Sequence, residues 1–290
     1  MKHTRVSLLT LTFALFGAAL GQAVPSVNVT ATASGFQVPA TVPVGHVQFN
    51  FGNAGAPAGD IVVFKVNSGA DPAGVKKTLS ALAVGLATGE DTTAVEQQLF
   101  NLGQLYGGAL SIAPQGRVQV GMGLEPGTYV VSTTATNDDQ KNPKALADMG
   151  FFQTFTVPAG KGAAAPKTDY TVQLADFAVS LPPTQVMAGT HTWEVVNDGR
   201  QPHFMTVAKL KSGVTADDVM KMMASDGPPS GPAPMEDSPG LGMNVLSPGR
   251  SATVTMTLTP GTYFTACFVA DPVTHKPHAM LGMIRFFTVK

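Results

Sequence analysis

Cysteine, tryptophan and charge are all scarce in this chain of 290 residues. Charged residues make up 13% of the sequence and the formal net charge is -1. This balance excludes the basic stripe that nucleic acid binding requires, and it gives no electrostatic attraction to a membrane surface. The one cysteine, Cys267, has no partner for a disulfide within the chain. A lone thiol of this kind is buried and inert, paired with another chain, or held by a metal ion or a reaction.

The N-terminus has the pattern of an export signal. Lys2 and Arg5 precede the apolar stretch VSLLTLTFALFGAAL, which is too short for a membrane span. The small residues of GQA follow, and we expect cleavage after Ala23. The sequence therefore predicts a signal peptide over residues 1–23. The mature protein is expected to have no membrane span and to be exported, either periplasmic or extracellular.

The mature chain repeats itself, which is its strongest organisational signal. Three pairs of segments align without gaps: 44–69 with 188–213, LEPGTYVVST (124–133) with LTPGTYFTAC (258–267), and MGFFQTFTV (149–157) with LGMIRFFTV (281–289). Residues 158–168, PAGKGAAAPKT, are small and polar and contain proline, which is typical of a linker. We therefore expect one domain over residues 24–157 and a second over residues 169–290.

Within each copy, alternation of apolar and polar residues predicts strands. VQFNF and TWEVV alternate, as do RVQVGMGL and SATVTMTL, and each copy ends on a Phe- and Val-rich strand. The 31 glycines and 22 prolines are typical of many turns. Helical segments are predicted after Asp71, in TTAVEQQLFNL and after Thr215. The predicted fold class is all-β, with two tandem Greek-key β-sandwiches that each have short helical insertions.

The two copies differ at the positions that carry soft or borderline metal ligands. In the alignment, His203 faces Gly59, Cys267 faces Thr133, His278 faces Leu146 and Met283 faces Phe151. All four residues lack a counterpart of the same type at the aligned position of copy one, which indicates a site kept or lost as a unit. Two imidazoles and a thiolate in one plane, with a weak axial thioether, form a blue-copper site.

Copy two resembles the cupredoxins, the plastocyanin-like blue-copper proteins. The resemblance covers nearly all of residues 169–290 and depends on NDGRQPHF, PGTYFTAC, PHAMLGM and the terminal strand IRFFTV. It implies that His203, Cys267 and His278 are equatorial ligands of one copper ion and that Met283 is the axial ligand. Copy one resembles the family in its scaffold only, which implies a degenerate domain without metal.

Two features depart from the family pattern. Ten residues, FVADPVTHKP, separate Cys267 from His278, where the family has only a few. Asp271-Pro272 predicts a turn within this insertion, and a hairpin there would bring Cys267 and His278 back together. Phe204 stands where the family often has a polar residue that ties the ligand strands together, which predicts fewer outer contacts to the ligands.

Another pair of residues competes for the closing part of the site. His275 and Met280 have the same spacing as His278 and Met283, three residues upstream. Pro277 and Gly282 also fit the family pattern, so the downstream pair is preferred and His275 is expected at the tip of the inserted loop.

The leading hypothesis is an exported cupredoxin-like protein with one mononuclear copper site in its second domain, acting in electron transfer or copper handling. A redox protein would then be its partner. The alternative is a metal-free tandem β-sandwich that serves as a binding or cell-envelope structural module and retains a remnant site. The sequence has no catalytic motif: no His-x-His pair for a copper cluster, no phosphate-binding loop and no nucleophile elbow.

Overall fold

The computed structural model of the protein describes residues 23–57, 59–224, 232–236 and 241–290. The predicted signal peptide, apart from Ala23, and parts of the Pro/Gly-rich loop over residues 226–243 lie outside these ranges. Within the described ranges, no helix is both long enough and apolar enough to cross a bilayer.

The first repeat contains eight strands and two helices. In chain order they are β1 (Ser26–Thr32), β2 (Gly35–Gln37), β3 (Gly45–Ala54), β4 (Val62–Val66), α1 (Pro72–Thr88), α2 (Thr93–Leu102), β5 (Gly103–Gly107), β6 (Arg117–Leu124), β7 (Gly127–Ser132) and β8 (Phe152–Val157). A 3₁₀ turn over Leu146–Met149 precedes β8. The two helices begin at the positions that the sequence predicts, and Asp71 caps α1 by accepting a hydrogen bond from the amide of Ala73.

The second repeat has the same order of strands with one described helix. Its elements are β9 (Tyr170–Ala175), β10 (Ala178–Ser180), β11 (Gly189–Asn197), β12 (His203–Lys209), α3 (Ala216–Ala224), β13 (Gly242–Leu246), β14 (Ser251–Leu258), β15 (Gly261–Ala266) and β16 (Ile284–Val289). A 3₁₀ turn over His278–Leu281 occupies the place of the turn before β8.

Two eight-stranded sheets pass through both repeats. One has the strand order β10-β9-β11-β14-β6-β3-β1-β2, and the other has the order β16-β15-β12-β13-β5-β4-β7-β8. Each repeat thus contributes four strands to each sheet, and the prediction of all-β sandwiches is confirmed. The sequence did not predict that the sandwiches join edge to edge, through the antiparallel pairs β6–β14 and β5–β13.

The junction between the repeats has approximate two-fold symmetry. Val120 of β6 pairs directly with Val254 of β14, and these two residues are equivalent in the repeat alignment. Pairing equivalent strands antiparallel leaves no open edge at the centre of either sheet. On one side of the junction, the carboxylate of Glu125 accepts hydrogen bonds from Lys65 of the first repeat and Arg250 of the second.

The PGTY segments that reveal the repeat form the same local structure twice. The Tyr129 hydroxyl accepts a hydrogen bond from the amide of Glu125 and donates one to its carbonyl. Tyr263 makes the equivalent pair of bonds with Thr259. This arrangement is a tyrosine corner, which fixes the start of a strand in many β-sandwiches. It holds β7 and β15 in place, and β15 leads directly to Cys267.

Helices α1 and α2 cover one sheet face of the first repeat. Leu79 and Leu82 of α1 and Leu99 of α2 are buried against Val62 and Phe64 of β4. Burying an aliphatic or aromatic side chain of this size stabilises the fold by about 1.5–3 kcal/mol. This layer also places the two helices beside the part of the second repeat that contains Cys267.

Candidate metal centre

Four buried side chains of the second repeat correspond to the predicted ligands. His203 begins β12, Cys267 follows the last residue of β15, His278 begins a 3₁₀ turn and Met283 precedes β16. Each of the four has 0% of its surface exposed. The strands of one sheet therefore supply the positions, and their ends converge at one end of the sandwich.

His203, Cys267 and His278 bring three donor atoms together. The distance between the two Nδ1 atoms is 3.1 Å. The Cys267 Sγ lies 3.6 Å from Nδ1 of His278 and 3.9 Å from Nδ1 of His203. A triangle with these sides has a circumradius of about 2.1 Å. That radius lies within the roughly 2.0–2.3 Å range of zinc–nitrogen and zinc–sulfur bonds, so the three atoms fit around one ion of similar size.

The insertion between Cys267 and His278 folds back as a hairpin. Ala270 and Pro277 form an antiparallel bridge, and the amide of His278 donates to the carbonyl of Val269. The amide of Ala279 then donates to the carbonyl of Cys267 at 2.7 Å. The ten residues between Cys267 and His278 thus return the chain to its starting point, and they do not hold the two ligand-type residues apart.

The same hairpin is present in the first repeat, where Thr136 and Ala145 form the corresponding bridge. The insertion is therefore part of the scaffold that both repeats share. It does not depend on the metal-ligand residues, because Thr133 and Leu146 flank it in the first repeat.

Asp271 stiffens the hairpin of the second repeat. Its Oδ2 accepts hydrogen bonds from the amide and the hydroxyl of Thr274. Its Oδ1 accepts a hydrogen bond from the side-chain amide of Gln201. These bonds, first those from Gln201 and Thr274, lower the pKa of Asp271 to about 2. The carboxylate is therefore charged at neutral pH and ties the hairpin to the loop that leads to His203.

The outer hydrogen bonds determine which nitrogen of each imidazole has the proton. Nε2 of His203 lies 3.1 Å from Oδ1 of Asp176, and a carboxylate can only accept, so this nitrogen donates. Gln201 uses its NH₂ group on Asp271, so its oxygen faces Nε2 of His278 at 2.8 Å and that nitrogen also donates. In the neutral rings, both Nδ1 atoms then present lone pairs to each other and to the Cys267 sulfur.

Burial keeps both imidazoles neutral. It lowers the pKa of His278 to about 4, with a further contribution from the neighbouring His203. Burial also lowers the pKa of His203, although Asp176 acts in the opposite direction. Two lone pairs 3.1 Å apart repel each other unless a proton or a cation lies between them. The donor set therefore suits a single cation in the space that the three atoms enclose.

The Cys267 thiol is protonated when no metal is bound. Burial raises its pKa to about 11, and the amide of Phe204 opposes this shift with a hydrogen bond of 3.5 Å to Sγ. The sequence predicted fewer outer contacts here, because Phe204 has no polar side chain. Its backbone amide nevertheless contacts the Cys267 sulfur. A metal ion must displace the thiol proton in order to bind the sulfur.

Met283 and Met280 have different environments. Met283 is fully buried in the same apolar cluster as Cys267, and its carbonyl accepts a hydrogen bond from the Cys267 amide. Met280 is 41% exposed. His275 lies in the hairpin with a positive φ of 58° and contacts Asp91, as expected for a residue at the loop tip. The burial favours Met283 over Met280, and its role as an axial ligand stays a prediction.

In the first repeat, hydrogen bonds occupy the equivalent position. Asp60, the counterpart of Phe204, accepts hydrogen bonds from the hydroxyls of Thr133 and Thr134 and from the amide of Thr134. Thr133 is the counterpart of Cys267. In the first repeat, oxygen atoms that are already hydrogen-bonded to each other thus lie where the second repeat has converging nitrogen and sulfur atoms.

Comparison with known proteins gives similarity at the level of the fold. No family model and no curated protein matches the chain. Among solved structures, auracyanin from the photosynthetic bacterium Roseiflexus castenholzii is 24% identical, over 41% of this chain and 94% of its own, with a TM-score of 0.28. Copper nitrite reductase from Nitrosomonas europaea is 13% identical, over 92% of this chain and 94% of its own, with a TM-score of 0.25. These are cupredoxin-fold proteins.

The fold itself is a pair of β-sandwiches that share two eight-stranded sheets. With TM-scores of 0.28 and 0.25, these structures carry no argument about what this protein binds or does. The case for a metal centre therefore comes from the chain's own second repeat: the triangle of donor atoms, the two fixed tautomers and the hairpin that closes the site.

Several residues of the candidate metal site were not found by sequence reasoning. Asp176, Gln201 and Asp271 form the outer hydrogen bonds, and Gly199 lies beside Asp176 and the His203 ring. Gln201 belongs to the same turn as His203, so its position two residues before a predicted ligand was an available signal. Asp176 comes from the hairpin between β9 and β10, and its sequence context gives no sign of this role.

Gly199→Ala is expected to weaken metal binding by about 10- to 100-fold, the usual cost of disturbing a partner of a ligand. A Cβ atom at this position would lie 2.6 Å from Nε2 of His203 and 2.5 Å from Oδ1 of Asp176. It would separate the imidazole from the carboxylate that holds it. Copper titration with competing chelators measures the change. Gly123→Ala is the control, because its Cβ would have no atom within 4 Å. Equal affinities of the two variants would contradict the role of Asp176.

Proposed function

We propose that the second repeat binds one copper ion through His203, Cys267 and His278, with Met283 as the axial ligand, and that the protein acts in one-electron transfer. The observation that carries this proposal is the buried triangle of two Nδ1 lone pairs and one sulfur. Imidazole and thiolate donors together suit copper, whereas carboxylates and carbonyls suit harder cations. Bound copper supplies a one-electron couple between Cu(I) and Cu(II).

The surroundings of the ligands support electron transfer over copper handling. His203 is held by Asp176, which in turn accepts hydrogen bonds from the amides of Arg200 and Gln201. His278 is held by Gln201 at its outer nitrogen. Rings that are fixed in this way can keep their positions when the charge of the site changes, which favours a redox role. Complete burial of all the ligand-type residues also slows release of the ion to an acceptor.

In this proposal, the protein works outside the cytoplasm and another redox protein is its partner. The apolar segment after Lys2 and Arg5 supports export, because it has the composition of a signal peptide. The first repeat serves as a metal-free scaffold whose strands extend both sheets of the second.

Reduction and reoxidation of the copper-loaded protein, in the presence of a Cu(I) chelator, tests the redox role. The proposal predicts that the visible absorption disappears on reduction and returns fully on oxidation, while the chelator stays colourless. Rapid, quantitative transfer of copper to the chelator on reduction would instead support copper handling. The Gly199→Ala variant is a useful comparison, since its looser His203 is expected to release copper faster.

A further inference from the structure

An apolar cavity of about 350 Å³ lies between the two repeats. Helices α1 and α2 of the first repeat and residues next to Cys267 in the second both contribute to its lining. The apolar side chains that line it include Leu79, Leu82, Leu99, Phe100, Phe204 and Phe268. None of His203, Cys267 and His278 lines this cavity, so it is separate from the donor triangle.

The cavity and the metal centre share a wall of two phenylalanines. Phe204 donates its amide to the Cys267 sulfur, and Phe268 follows Cys267 in the chain. Their ring centroids are 6.2 Å apart. Phe268 is 42% exposed and Leu86, at the end of α1, is 53% exposed, so large apolar groups reach the mouth of the cavity. Exposed apolar groups that adjoin a cavity are typical of a binding site.

The polar side chains that line the cavity are hydrogen-bonded within the protein, and Glu96 is the one that keeps an unbonded carboxylate oxygen among the described residues. Both carboxylate oxygens of Asp60 accept hydrogen bonds from Thr133 and Thr134. The Asn244 amide donates to the carbonyls of Ile61 and Ala109, and its oxygen accepts from Val245. Glu96 accepts a hydrogen bond from Thr92 at Oε1, and its Oε2 has no hydrogen-bond partner among the described residues.

We propose that this cavity binds a compact, uncharged molecule of one to three rings that donates one hydrogen bond to Glu96. The volume is about twice the roughly 150 Å³ of a cavity that accommodates benzene. The Leu and Phe lining favours an apolar body, because burying apolar surface drives binding. An anion is disfavoured, because Asp60 and Glu96 are acidic and no Lys or Arg of the described ranges lines the cavity. A cation is also disfavoured. It would lose its hydration shell among apolar side chains and gain only one unbonded carboxylate oxygen as a partner.

The neutral dye N-phenylnaphthylamine tests the proposal, because it has two fused rings, a phenyl ring and one N–H donor. With the metal-free full chain, its fluorescence is expected to rise to saturation at one dye per protein. Anilinonaphthalenesulfonate has the same ring frame with an added sulfonate, and it is expected to bind at least about tenfold more weakly. Absence of saturable binding, or equal affinity for the two dyes, would overturn the proposal. Neither result depends on copper.

Two matched variants locate the binding site. Leu86→Glu adds a charge at the mouth of the cavity and is expected to weaken dye binding about tenfold. Met187→Glu is the matched control, because Met187 does not line the cavity. Its exposure of 49% is close to the 53% of Leu86. We expect its affinity to equal that of the unchanged protein. Both side chains are largely exposed, so folding is unaffected. Equal weakening by both variants, or by neither, would show that the dye binds elsewhere.

Discussion

The Cys267→Ser variant is expected to lose the intense visible absorption of the copper-loaded protein completely. That absorption arises from charge transfer between a thiolate and copper, and Cys267 is the only cysteine. Serine has nearly the same shape, so the buried position at the end of β15 is retained. Its hydroxyl is a harder ligand that gives up its proton far less readily than a thiol. Copper affinity should fall by more than the roughly 10- to 100-fold cost of losing an outer partner.

The Thr133→Ser variant is the matched control for this experiment. Thr133 occupies the position in the first repeat that Cys267 occupies in the second, so both variants place serine at equivalent points of the scaffold. Serine keeps the hydroxyl that Thr133 donates to Asp60. The control is expected to keep both the absorption and the affinity. Visible absorption that survives in Cys267→Ser would show that the thiolate is not a ligand.

Copper affinity is expected to rise about tenfold for each pH unit between pH 7 and pH 10, which amounts to about a thousandfold over this range. Burial raises the pKa of the Cys267 thiol to about 11, so the metal-free protein has that proton throughout. Both imidazoles are neutral there, because burial lowers the pKa of His203 and lowers that of His278 to about 4. Binding therefore releases one proton, and affinity increases as protons become scarcer.

The pH dependence has a second region and a direct control. Below about pH 4, His278 is protonated in the metal-free protein, so the slope should steepen as a second proton competes with the ion. Gly199→Ala keeps the thiol and disturbs His203 and its partner Asp176, so it should give the same slope at lower affinity. Titrations at a series of pH values, with a chelator whose own protonation is known, measure the slope. A flat profile between pH 7 and pH 10 would mean that the thiol is not displaced by copper.

The repeat and its alternating segments were sufficient to predict much of the fold. The gapless alignment placed the strands of both copies, and Asp71-Pro72 placed the start of α1. The edge-to-edge joining of the sandwiches was not predicted, because β6 and β14 have the same alternating pattern whether they pair with each other or face solvent. Only the three-dimensional arrangement reveals that Val120 and Val254 meet at the centre of one sheet.

For the candidate site, sequence comparison between the copies identified the residues but not their surroundings. His203, Cys267 and His278 stood out because the first copy lacks all three, and the structure brings their donor atoms together. Asp176 and Asp271 were not identified, because acidic residues in loops are common and only the folded chain places them. The hairpin of the insertion also needed the structure, since Asp271-Pro272 predicts a turn but does not determine which residues it brings together.

Titration of the metal-free protein with copper, followed by visible absorption and metal analysis, tests the account most directly. The three converging donor atoms of His203, Cys267 and His278 predict one tightly bound copper ion per chain and an intense visible band that saturates at that ratio. A colourless protein that retains no copper, under both oxidising and reducing conditions, would contradict the account. The tandem sandwich would then be a metal-free module with a remnant site.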